Sequence, residues 1–237
     1  MKNLTPGMKK RLFPDNLILC GYRGSVAHNM YVPDTDPNSI DDIDLMGVYM
    51  APLEYYVGLG LGRKYHKSKY HKSIEMFVDK YDIVHYELRK FVNLLIKSNP
   101  NVLSLLWLRD NHYIHRTYWA NLLINNRRLF VSKLAYQSFT GYAYSQLKRM
   151  EHLATQGYMG EKRKQLVEKY GYDCKNAAHC IRLLKMGMEF LTTGELNVFR
   201  DDAPYLLEIK RGKWTLDQVK KEAKMFRRLK RLLWRLY

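Results

Sequence analysis

Two short groups of residues in this sequence have the types and spacing to handle phosphate and metal. Gly24-Ser25 follows closely on the apolar run Leu17-Ile18-Leu19-Cys20, and Asp42 and Asp44 alternate with Ile43 and Leu45. Alternation is the strand period, so in a strand the two carboxylates share one face and Ile43 and Leu45 take the other. Like charges placed this way repel and call for a cation beside them. Paired carboxylates are the oxygen donors that hard Mg²⁺ takes, together with phosphates and water. The bland alternative is an edge strand with a solvated acidic face. Gly24 shifts the balance, because glycine permits close backbone approach and successive N–H groups opening a helix cradle phosphate, to which Ser25 adds a hydroxyl.

The elements that must position these residues follow from the pattern. Residues 17–20 read as a buried strand, Gly24 to Met30 as a loop and a first helical turn, and 42–50 as a second strand. Pro33-Asp34-Thr35-Asp36-Pro37-Asn38 is a turn-rich insertion between the two motifs. Residues 52–57 suit a short helix. The stretch from Gly58 to Lys72, glycine-rich and then basic and aromatic, reads as a mobile loop that either contacts phosphates and bases or is solvated. Residues 74–86 are β-branched and aromatic strand material. A helix then carries Leu88, Phe91, Val92, Leu95 and Ile96 on one face, and Asn99-Pro100 closes it before a second apolar helix over Val102 to Leu108.

From Arg127 onward the sequence reads as all-helical. One of these helices places Lys175, His179 and Arg182 at i, i+4 and i+7, so the three nitrogenous side chains share a face. That face either reads phosphate or a base, or is simply solvated with His179 partly packed. The tail, Lys220 to Tyr237, is a basic amphipathic helix with Val219, Ala223, Phe226, Leu229 and Leu233 as its apolar stripe.

Composition narrows the function classes. The 237 residues carry 40 Lys+Arg against 23 Asp+Glu, a formal charge of +17, which argues for an anionic partner, nucleic acid or nucleotide, over charge that merely solubilises. The surplus concentrates in Arg63 to Lys72, Lys162 to Lys169 and Lys220 to Arg235. The three cysteines, Cys20, Cys174 and Cys180, have no metal-site spacing and build no disulfide framework, which suits a reducing cytoplasm. The apolar run at 16–20 is too short for a signal peptide, and no stretch reaches the length of a membrane span, so no membrane partner is expected.

A strand, Gly-Ser, a helix start and a strand with Asp-x-Asp together resemble the DNA polymerase beta-like nucleotidyltransferase superfamily. Further stretches are similar to one branch of it, the predicted RNA-repair-associated (RlaP-like) family of bacteria and their viruses. These are Asp-Ile-Asp-Leu-x-Gly-Val-Tyr at 42–49, Asp-Ile-Val-His-Tyr-Glu-Leu-Arg-Lys-Phe at 82–91 with the following Asn-Pro-Asn-Val-Leu, and Gly-Tyr-Asp-x-Lys-x-Ala-x-His-x-x-Arg-Leu-Leu at 171–184. Gly194-Glu195-Leu196 and the segment Leu206 to Trp214 fit it as well, so the resemblance covers about Leu17 to Met225. One departure is Ser104, where the family commonly has Glu.

The resemblance implies an α/β fold, with a polymerase beta-like nucleotidyltransferase core of mixed sheet and helices at 1–110 and an all-helical domain at 111–237. It implies transfer of a nucleoside monophosphate from an NTP to a hydroxyl, with an RNA end as the favoured acceptor and pyrophosphate released. A protein or small-molecule acceptor, or a non-catalytic nucleic-acid-binding role on the same fold, are the rivals. Two Mg²⁺ (or Mn²⁺) ions would be held by Asp42, Asp44 and a third acid, best assigned to Asp82, with Glu87 as runner-up and Asp79 behind it. Gly24 and Ser25 would hold the triphosphate, and Lys175, His179 and Arg182 would neutralise or orient the nucleotide.

Overall fold

The structure is a computed structural model that describes residues 7, 13–36, 39, 41–57, 73–78, 80–151 and 160–236, the side chains of 151 and 227–236 excepted. The expected loop at 58–72 and Asp79 lie outside the described residues.

In chain order the elements are β1 (Leu17–Tyr22), α1 (Gly24–Ala27), β2 (Ile43–Tyr49), α2 (Leu53–Val57), β3 (Ile74–Val78), β4 (Tyr81–Glu87), α3 (Leu88–Ile96), α4 (Pro100–Leu106), β5 (Tyr113–Arg116), α5 (Tyr118–Asn125), α6 (Leu134–Glu151), α7 (Glu161–Tyr170), α8 (Cys174–Thr193), α9 (Ala203–Lys210) and α10 (Leu216–Leu236). The strand material expected at 74–86 is a hairpin, β3 and β4. Among the described residues the strands form one mixed sheet in the order β3-β4-β2-β1-β5. β2 and β4 run parallel, and every other neighbouring pair is antiparallel.

The two faces of the sheet follow the residue alternation. Leu45, Ile83, Leu17 and Cys20 bury into a small cluster on one side. Met46, Val48, Val84, Ile18 and Leu19 bury on the other, where they join a core continuous with α6, α8, α9 and α10. Period two then places Asp44 on the side of Met46, and Asp82 on the side of Val84. Both acids therefore face the C-terminal helices. That core runs from Ile18 to Phe226 without a break at residue 110, and β5 adds residues 113–116 to the sheet.

Local chemistry ends the elements where the site needs them. Glu87 caps α3, its carboxylate accepting from the backbone N–H of Arg89 and Lys90 at 2.8 and 3.0 Å. Asn99 caps α4 in the same way, with Pro100 at its first turn, so the Asn-Pro pair opens the second helix. Asp173 caps α8, and Gly171 and Gly194 close α7 and α8 in the left-handed conformation. Of the tail helix's apolar stripe, Val219, Ala223 and Phe226 are buried, and the side chains of Leu229 and Leu233 lie outside the described residues.

One buried ion pair ties the sheet to the helices. The Asp41 side chain is fully buried just ahead of β2 and accepts from the Val32 N–H at 2.9 Å. Lys210, at the end of α9, donates to the same carboxylate and to the Met30 carbonyl. Lys175 of α8 lies 3.4 Å from its other oxygen. Removing one partner of a buried pair strands the other charge, at a cost of about 3–5 kcal/mol. Asp41→Ala is expected to destabilise the chain by that amount in denaturant titration, with Asp41→Ala/Lys210→Met recovering a large part. A single-variant loss below about 1 kcal/mol would show that the pair does not hold the two halves together.

Candidate active site

β2 lies at the centre of the sheet, and its parallel register with β4 sets Asp44 directly beside Asp82. β1, on the other side of β2, runs antiparallel and ends there, so the chain turns through Arg23 and Gly24 beside the two acids. The Arg23 N–H donates to the Asp44 carbonyl at 2.9 Å. Gly24 adopts φ +60, and a Cβ built on it would stand 1.9 Å from Asp44 Oδ2. Glycine is needed here on both counts, since a side chain would meet strained backbone and the carboxylate together.

Facing this acidic edge across a cleft of about 300 Å³ is α8. The cleft is lined by Gly24, Ser25, Asp42, Asp44 and Asp82 from the sheet side and by Lys175, His179 and Arg182 from α8. The eight residues given first place in the sequence reading thus line one cleft, and the runner-up Glu87 does not. The charged stripe of α8 points into the cleft and not to solvent.

The electrostatics of the two walls differ. Arg23 Nη2 lies 2.9 Å from Asp82 Oδ2 and 3.5 Å from Asp44 Oδ1, a cation shared between neighbouring carboxylates. Burial raises the Asp44 pKa to about 6, against the pull of Arg23 and with added repulsion from Asp82 and Asp42. On the opposite wall Arg182 is 5 % exposed, and among the described residues it has no carboxylate partner. Burial, with Arg200 nearby, lowers its pKa to about 9. Burial and the surrounding Arg182, Lys175, Arg149 and Arg163 push the His179 pKa well down, so its imidazole is neutral, and its Nε2 has no partner among the described residues. The Ser25 hydroxyl is likewise buried and unpartnered at the cleft edge.

The acidic wall suits a hard divalent cation. Its donors are carboxylate oxygens, and two of them lie within reach of a single guanidinium nitrogen. No three His, Cys, Asp or Glu side chains are gathered as a metal cluster among the described residues, and Asp42 is solvent-exposed just outside β2. Glu87 sits at the far end of β4, paired with Tyr49, roughly 16 Å from Asp82 at about 3.3 Å per residue. Its carboxylate is fully buried, caps α3 and accepts from the Tyr56 hydroxyl at 2.6 Å, so it takes no part in the cleft.

Five further polar lining residues carry no role in the sequence reading, Arg23, His28, Asp41, Asn101 and Lys210, and Ser104, noted there only as a departure from the family, joins them on the cleft. Asp41 adjoins Asp42, and adjacent residues in extended chain point to opposite sides, which is the one local cue that the two differ in role. The others show no spacing signal. Ser104 lines the cleft with its hydroxyl turned back to the Pro100 carbonyl at 2.8 Å.

A mixed five-stranded sheet with a glycine turn and paired strand carboxylates fits the polymerase beta-like class of nucleotidyltransferases, and the family match assigns the chain to it. Residues 16–235 match the RNA repair pathway DNA polymerase beta family (RlaP), and the chain belongs to that family. No curated protein matches it. A crystal structure of a nucleotidyltransferase-like protein from Exiguobacterium sibiricum 255-15 overlaps 96% of this chain and 71% of that one at 10% identity, with a TM-score of 0.32, too weak a likeness to carry an inference. Among the described residues no helix is long and apolar enough to cross a membrane.

The raised Asp44 pKa has a measurable consequence. At pH 8, above both the unfolded value of 3.8 and the folded value of about 6, the buried carboxylate is ionised and destabilises the folded chain. Two units correspond to about 1–3 kcal/mol. As pH falls through 6 the folded form takes up the proton first, and stability returns. In buffer free of divalent ions, Asp44→Asn is expected to raise Tm at pH 8 and to lose that advantage by pH 4. A gain independent of pH, or a loss at pH 8, would contradict the burial argument.

Proposed function

We propose that the chain transfers a nucleoside monophosphate from an NTP to a hydroxyl, with an RNA end as acceptor and pyrophosphate as leaving group. The observation that carries this is the convergence of Gly24-Ser25, Asp42, Asp44, Asp82 and the basic face of α8 on one cleft, with its acidic and basic walls opposed. Family membership supports nucleotidyl transfer, and the charge of +17 supports a polyanionic acceptor.

In this reading the acceptor hydroxyl gives up its proton to solvent, its oxygen bonds to the α-phosphorus, the bond from that phosphorus to the bridging oxygen breaks, and the electron pair leaves on pyrophosphate. Asp42, Asp44 and Asp82 would hold Mg²⁺ or Mn²⁺, two ions, with Arg23 giving up its place between the acids. Divalent ions held there would supply a lowered pKa for the attacking hydroxyl and offset charge on the attacking and leaving oxygens. Gly24 leaves the Asp44 carboxylate its place beside the turn, and the Ser25 hydroxyl supplies a donor that has no partner among the described residues. Arg182 and Lys175 offset the charge of the β- and γ-phosphates, and neutral His179 offers Nε2 to the nucleotide. Asp82 is the more open of the two facing strand carboxylates, which supports giving it the acceptor side.

Incubation with each labelled NTP, Mg²⁺ or Mn²⁺ and a panel of RNAs is expected to label one RNA end. Asp42→Asn, Asp44→Asn and Asp82→Asn should each lower transfer by at least about 100-fold, the scale of a lost electrostatic group in an active site. Asp82→Asn should keep NTP binding. Glu87→Gln should cost about 1 kcal/mol of stability through its cap and leave the chemistry in place. An inactive Glu87→Gln beside an active Asp82→Asn would overturn the assignment.

RNA binding should weaken log-linearly with salt, at about −0.7 per neutralised phosphate. Charge reversal at Lys67, Lys69 and Lys72 should flatten that slope. Binding that ignores salt would exclude a nucleic-acid acceptor.

A further inference from the structure

Arg182 and Arg200 are buried to the same degree, at 5 % and 3 % exposed, and are treated very differently by their surroundings. Arg200 is met by two carboxylates, Glu189 and Asp202, which cancel its charge. Lys210, also on the cleft, is met by Asp41. Arg182 has only neutral partners among the described residues, His28 and the Met186 sulfur at 3.2 Å. Its positive charge is therefore kept whole and faces the cleft.

His28 makes this possible. It closes α1, a few residues beyond Gly24-Ser25, and is 5 % exposed. Its Nδ1 lies 2.9 Å from the Val198 carbonyl oxygen. A carbonyl only accepts, so Nδ1 carries the proton and donates it. That leaves Nε2 as an acceptor, and Arg182 Nη1 donates to it. Asn29, beside His28, donates to the Arg200 carbonyl at 3.2 Å, so the end of α1 is fastened to the segment after α8 at two points. A carboxylate in place of His28 would orient the guanidinium equally well but would cancel its charge. An imidazole orients it and leaves the charge available.

We propose that His28 is a positioning residue that aims Arg182 at the phosphate end of the bound nucleotide without neutralising it, coupling the Gly24-Ser25 loop to α8. This rests on the nucleotide reading of the cleft given above. It makes a specific claim: what matters at position 28 is a neutral hydrogen-bond acceptor. His28→Gln keeps one, and His28→Glu, of nearly the same size, supplies a charge that pairs with Arg182.

The test is calorimetric binding of inorganic tripolyphosphate to the full chain without added divalent ion, with thermal melts to confirm folding. Wild type and His28→Gln should bind within about threefold of each other. Arg182→Ala and His28→Glu should each weaken binding at least tenfold, and His28→Glu should add nothing on the Arg182→Ala background. His28→Glu that binds like wild type, or a folded His28→Gln that fails as His28→Glu does, overturns the inference while leaving the role of Arg182 intact. A wild-type chain that ignores tripolyphosphate overturns the nucleotide reading and this inference with it. Should neither position-28 variant fold, ¹⁵N NMR of the wild-type histidines decides the matter. A neutral His28 protonated on Nδ1 is required, and a proton on Nε2 would overturn the proposal, since that nitrogen could not then accept from Arg182.

Discussion

Two carboxylates held side by side by strand pairing repel, and much of the surrounding structure answers that repulsion. β2 and β4 run parallel in register, so Asp44 and Asp82 cannot drift apart without breaking the centre of the sheet. The chain responds with Arg23, whose guanidinium touches both, and with Gly24, whose missing side chain leaves Asp44 its room. The acids lie on the face of Met46 and Val84, so the helical half packs over them and forms the far wall of the cleft. Positive charge is supplied there unevenly. Lys210 is cancelled by Asp41, and Arg182 is not cancelled. The cleft is thus an acidic strip facing a basic one.

The features legible in the sequence were those with a period or a local motif. The alternation Asp42-Ile43-Asp44-Leu45 gave the face of the carboxylates, and Ile43 and Leu45 do pack on the opposite side. The i, i+4, i+7 spacing put Lys175, His179 and Arg182 on one face of α8, and the face is real. What periodicity could not say was whether that face met solvent or a cleft, because the answer depends on how α8 packs against the sheet. The resemblance to a known family supplied that step.

The features not read were those made by tertiary contact. β5 is a four-residue edge strand, Tyr-Ile-His-Arg, with no alternation strong enough to mark it, and it carries the sheet past residue 110. Glu87 is the runner-up to Asp82 under the family resemblance, and it is the last residue of β4. The register places it at the opposite end from Asp82, where capping α3 consumes it. Asp41, Lys210 and His28 are single residues far apart in the chain, and only folding reveals that Asp41 faces Lys210 and that His28 faces Arg182.

The central claim is that the cleft breaks the bond between the α-phosphorus and the bridging oxygen to the β-phosphate, and not a bond at the γ-phosphorus. Parallel reactions with NTP labelled at the α- or the γ-phosphate, in the presence of Mg²⁺ and acceptor RNA, separate the two directly. The account predicts that the α-label enters the acceptor while the γ-label leaves as pyrophosphate, and that Asp44→Asn abolishes both. Transfer of the γ-label to the acceptor, or release of γ-label as orthophosphate with none of the α-label incorporated, would contradict it.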